Sequence, residues 1–94
     1  MRYRNSMEQQ HQQTLTQLVN DVYNKPDLIE EHQVLIQPLL KDLLASAPAG
    51  FEGMATMIHS HLVNGLKSTN PNIQKFELES GLLKLKPYFQ RINQ

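Results

Sequence analysis

The side chains of this sequence best suited to acid–base chemistry or metal binding are four histidines, His11, His32, His59 and His61, and two close carboxylate pairs, Glu30–Glu31 and Glu77–Glu79. His59 and His61 lie two positions apart in the stretch MIHSHLVNG, Met57 to Gly65. On a helix, residues two apart point about 200° away from each other, so this pair cannot close on one ion; helical metal pairs are spaced by four, as in H-E-x-x-H. On a strand the two would share a face, but the residues around them read helically. We therefore place His61 on an apolar face with Ile58 and Leu62, buried and hydrogen-bonded, and His59 outside in solvent with Thr56 and Ser60. His11 and His32 are single residues on apolar stripes and read as helix-packing groups, whose titration would make stability or assembly pH-dependent.

Other catalytic patterns are missing. Ser60 sits between two histidines, but neighbours along a helix diverge, so it is not an activated nucleophile. Glu30 and Glu31 splay apart for the same reason. No G-x-x-x-x-G-K or G-x-G-x-x-G loop is present to cradle a phosphate, and no G-x-S-x-G elbow to hold a nucleophile. The expectation is a non-enzymatic chain with no cofactor and no metal ligands.

Nucleic acid is the alternative partner. Lys75, Lys84, Lys86 and Arg91 lie toward the carboxyl end, where Arg2 and Arg4 could join them in a weak phosphate-contacting patch. A helix-turn-helix reading fails on its reader: the stretch FEGMATMIHSHLVNG contains no Lys or Arg, and base readout normally draws on Arg, Lys, Asn or Gln near the start of the reading helix. A small metal- or ligand-binding protein ranks third.

The elements that must position these residues follow from periodicity. Ser6 and Gln9 have capping-box spacing, and Met7, His11, Leu15, Leu18, Val19 and Val22 then recur at three- and four-residue steps, predicting a first helix. Pro26 ends it, and Asp27 with Glu30 forms a second capping-box candidate. The stripe Leu28, His32, Leu35, Ile36, Leu39, Leu40, Leu43 and Leu44 is the strongest periodic signal in the chain; Pro38 inside it predicts a kink or a break. A third helix is expected from Phe51 or Gly53 to Asn64, burying Met54, Met57, Ile58, His61 and Leu62, with Gly65 as the left-handed residue past its end. Asn70 and Pro71 have the N-cap and first-turn signature of a fourth helix.

Beyond that point two readings compete. Leu78, Leu82, Leu85, Phe89 and Ile92 fit a helical stripe, with a break expected near Gly81 or Pro87. A β-hairpin over residues 76–86, turning at Ser80–Gly81, would pair Phe76 with Leu85 and Leu78 with Leu83. A lone two-stranded hairpin is marginal in water, so helix is favoured. The expected fold class is all-α, a compact bundle of about four to five short helices forming one domain over residues 1–94, frayed at 1–6 and 93–94.

Composition bounds the rest. The chain has 94 residues and no cysteine, so neither a disulfide framework nor a Cys-based metal site is available. A domain of this size buries a little over ~60% of its unfolded surface. No apolar run approaches the ~20 residues of a membrane span, and no apolar h-region follows the first arginines; a cytoplasmic protein, away from membranes, is expected. Net charge is zero but uneven: +1 over residues 1–20, −4 over 21–53 and +3 over 54–94. That asymmetry suits self-association or a charged protein partner.

The second helix carries more apolar width than one neighbour covers. We therefore assign partner binding to Leu35, Ile36, Leu39, Leu40, Leu43 and Leu44, with Met54 and Met57 as an adaptable contact surface. The expected function is a small protein–protein interaction module, a homodimeric regulator, adaptor or inhibitor, and Leu40→Asp or Leu43→Asp is expected to break its assembly.

Overall fold

The structure, a computed structural model, describes residues 7–94. Four α-helices, α1 (Gln9–Asn24), α2 (Ile29–Ala45), α3 (Glu52–Lys67) and α4 (Pro71–Ile92), with one 3-10 turn at Pro26–Leu28, account for the ordered elements; no strand occurs among the described residues. Ser6 and the first five residues lie outside the described range, and with them the proposed first capping box and the amino-terminal fraying.

Each helix directs one apolar stripe inward. Leu15, Val19 and Val22 from α1 meet Ile36, Leu40 and Leu43 from α2, Ala55, Ile58 and Leu62 from α3, and Leu78, Leu85 and Tyr88 from α4, all at 0–1% exposure. Helix α1 packs on α2 and α4, α2 also on α3, and α3 most extensively on α4, which closes a four-helix ring around this core. Cross-helix contacts fix the directions. His11 meets Asp42 and Asp21 meets His32, so α1 and α2 are antiparallel; Gly65 faces Leu78 and Gly81 faces Leu62, so α3 and α4 are too. Tyr88 lies edge-on to Phe51 with ring centroids 6.1 Å apart, closing one end of the core.

The prolines do less than their propensity suggests. Helix α2 is unbroken through Pro38 and α4 is unbroken through Pro87. Each proline removes the hydrogen bond to the carbonyl four residues before it, at Val34 and Leu83. Those residues are 75% and 69% exposed, so water can reach the freed carbonyls and the helices continue.

Three local expectations are corrected. The favoured helical reading of residues 76–86 holds against the hairpin, but the break expected near Gly81 does not occur. Gly65 does not terminate α3; it lies inside it, and the only positive φ among the described residues is at Gly50 (92°). Asp27 and Glu30 form no capping box, since α2 has Leu28 at its N-cap with no side-chain bond. The Asn70–Pro71 signature is realised, the Asn70 side chain accepting from the amides of Asn72 and Ile73 at 2.9 and 3.3 Å. At the opposite terminus, Asn93 is tied to α1: Gln12 Nε2 donates to Asn93 Oδ1 (3.0 Å) and Asn93 Nδ2 donates back to Gln12 Oε1 (2.9 Å).

Candidate functional site

Three of the four histidines meet one carboxylate from a neighbouring helix. His61 on α3 lies 2.8 Å from Glu77 on α4, while His11 and His32 approach Asp42 and Asp21 at 3.4 Å across the α1–α2 interface. These pairs are separate, and among the described residues no group of three or more His, Cys, Asp or Glu comes together around a metal-sized space. The hydrogen bond found on the His61 ring goes to Glu77 alone, so this pair lacks the hydroxyl or thiol that would make it a nucleophile-activating set. Such pairs join helix to helix. His32 makes its join imperfectly, its buried Nδ1 having no hydrogen-bond partner.

His59 is placed differently from the sequence expectation. It is partly buried, lining a groove between α2 and α3 with Lys41 and Leu44, and that burial disfavours its charged form and lowers its pKa below 6.5.

The apolar residues assigned to partner binding divide into two sets. Ile36, Leu40 and Leu43 are at 0–1% exposure within the core, because that part of the α2 stripe is turned inward between α1 and α3, the two helices on which α2 packs. They have no free surface in this fold. Leu35 and Leu44 are exposed, at 58% and 40%, and Leu39 is half-buried; Leu35 and Leu39 line a groove against α1 whose rim carries Glu8, His11 and Asp42. Met57 is 49% exposed rather than buried, with Met54 beside it.

Met54 and Met57 belong to a more apolar surface. With Leu83 and Pro87 of α4 they form the floor of a cleft of about 430 Å³, edged by Lys84 and Arg91. It opens onto the outer face of α4, where Phe76 (62% exposed), Leu83 (69%) and Ile73 (49%) stand in solvent. Sequence reading missed this face, because the inward stripe Leu78, Leu82, Leu85 and Phe89 absorbed the pattern. A signal was present: Ile73, Phe76, Leu83 and Pro87 recur at helical spacing on the opposite side, and one helix with two apolar stripes has one to spare.

The four basic residues do not form one patch. On a 100° helical step, Lys75 and Lys86 fall within about 20° of each other, whereas Lys84 and Arg91 project from the other side of α4. Two of them are engaged with aromatic rings: Lys75 Nζ sits 5.9 Å from the Tyr23 centroid and the Arg91 guanidinium 5.8 Å from that of Phe51. Arg2 and Arg4 lie outside the described residues. No helix among the described residues is long and apolar enough to cross a membrane.

No protein-family model, curated protein or solved structure matches this chain significantly.

Proposed function

We propose that this chain is a non-catalytic helical interaction module, acting in the cytoplasm as an adaptor, inhibitor or regulatory subunit by burying exposed helix surface against another polypeptide. One observation carries the reading. Among the described residues sixteen hydrophobic side chains are buried, yet Phe76 and Leu83 remain largely in water, and Ile73 and Met57 about half so, on one side of the α3–α4 pair. Large contiguous apolar patches on small domains mark contact sites more often than they mark inert surface. The methionines suit that role, since unbranched thioethers adapt to an incoming side chain.

The test is native mass spectrometry of the chain recovered gently from its own host, alongside Leu83→Asp. That substitution falls on a side chain 69% exposed and is expected to leave the fold in place. The reading expects wild-type protein to carry a stoichiometric polypeptide partner, itself or another, that the variant loses. A variant with every association of the wild type would overturn it.

A further inference from the structure

The outer face of α4 carries a second regularity. Ile73, Phe76, Ser80, Leu83, Pro87 and Gln90 recur at alternating three- and four-residue steps, and all but the half-buried Ser80 are exposed. That 3.5-residue period is the one with which two helices that wrap gently around each other keep one seam in contact. On the two shoulders of the seam the charges are ordered: Glu77 and Glu79 precede its midpoint, and Lys84 and Lys86 follow it.

We propose that the occupant of this face is a second copy of the same chain, its α4 running antiparallel to the first about a two-fold axis between Gly81 and Leu82. This rests on the interaction-module reading and names its partner. In that register Glu77 faces Lys84 of the second copy and Glu79 faces Lys86, each twice by symmetry, giving four attractive pairs. A parallel pairing aligns Glu79 with Lys84 but sets Lys86 against Arg91. The charge order therefore selects the antiparallel arrangement.

Side-chain sizes agree with the same register. Phe76 falls opposite the second copy's Pro87 and so at the mouth of its Met54–Met57–Leu83 cleft, about 430 Å³ and large enough for a phenyl ring. Thioether–aromatic contact is favourable there. Leu83 falls opposite the second copy's Ser80, large against small. Both clefts are filled at once, and Phe76 and Leu83 leave water together. Glu77 keeps its bond to His61 through Oε1, leaving its second oxygen for Lys84.

The deciding experiment uses sedimentation of the full chain with Glu79→Lys and Lys86→Glu, both on exposed side chains away from the core. Wild type is expected to dimerise, each variant to dimerise at least about tenfold more weakly, and their equimolar mixture to recover wild-type affinity as a heterodimer. Because the chain has no cysteine, Ile73→Cys mixed with Gln90→Cys reports direction: a 73–90 disulfide is expected, and a 73–73 disulfide as the dominant product would overturn the antiparallel register. A wild-type chain that stays monomeric at high concentration would overturn the second copy as occupant. The interaction-module reading fails separately, when Leu83→Asp keeps the wild type's associations with other polypeptides.

Discussion

Gly81 of α4 lies directly against Leu62 of α3: a Cβ at Gly81 would overlap Leu62 Cδ2 and stand 2.9 Å from Leu62 Cγ. Leu62 is fully buried, so its side chain cannot move aside into solvent. Gly65 makes the reciprocal contact on α3, where a Cβ would stand 2.7 Å from two carbons of Leu78. Two glycines, one on each helix, let α3 and α4 approach closely, and that approach sets the Met54–Met57 cleft beside the outer face of α4.

Gly81→Ala is therefore expected to destabilise the chain by about 1–2 kcal/mol, because overpacking outweighs the ~1 kcal/mol that alanine gains over glycine within a helix. Gly53→Ala is the internal control. Nothing lies within 4 Å of its position on α3, so the same change there is expected to stabilise by about 0.5 kcal/mol. Urea denaturation of both variants measures the two signs.

Gln12 is 4% exposed and uses its amide fully, donating to Met7 O at 2.7 Å and exchanging two bonds with Asn93. Gln12→Leu keeps the volume but strands the Met7 carbonyl, and should cost about 1–3 kcal/mol. Asn93→Ala removes an exposed partner that water can replace and should cost less. A larger loss for Asn93→Ala than for Gln12→Leu would mean that the bonds hold the carboxyl terminus for some other reason.

The three interior leucine-stripe residues and the exposed ones should respond in opposite ways to charge. Leu40→Asp places a carboxylate with no partner in the core and is expected to unfold the chain, a loss above about 4 kcal/mol. Leu35→Asp, on a side chain 58% exposed, should change stability by no more than about 0.5 kcal/mol. Circular dichroism separates the two. An aspartate at residue 40 or 43 thus reports on folding and gives no information on assembly.

His59 supplies a pH dependence of definite sign. Its folded pKa is lowered by burial, so the unfolded chain takes up a proton at this position more readily than the folded one. The contribution is harmless above about pH 6.5 and becomes destabilising as pH falls through that value. The melting temperature of His59→Gln minus that of wild type should therefore increase between pH 7.5 and pH 5.5. A difference independent of pH would show that burial at this position does not act on the proton.

Much of the architecture was legible because it rests on local rules. Asn70 and Pro71 mark the start of α4 through a cap the side chain makes with its own first turn, and the inward stripes of α1, α2 and α4 follow from three- and four-residue spacing. Gly65 and Gly81 misled, because a glycine read locally signals a cap or a break, whereas here each one makes room for a leucine on another helix, 13 and 19 positions away in sequence. Pro38 and Pro87 misled for a similar reason: their effect depends on whether water reaches the freed carbonyl, which only the packed chain decides. The His–carboxylate pairs, 31, 11 and 16 residues apart, have no local signature. Nor could apolar pattern alone divide Leu40 from Leu35, since both fit the same stripe and burial depends on how many helices surround α2.

The most direct test of the account is the dependence of thermal stability on protein concentration, because a folded chain that binds its own copy is stabilised by mass action. The melting temperature of wild type is expected to rise steadily as the protein is concentrated over two orders of magnitude, and that of Phe76→Asp to stay constant while its circular dichroism spectrum remains helical. A wild-type melting temperature that does not move with concentration, or a Phe76→Asp variant that rises in parallel with it, would contradict the claim that the outer face of α4 is where a second copy binds.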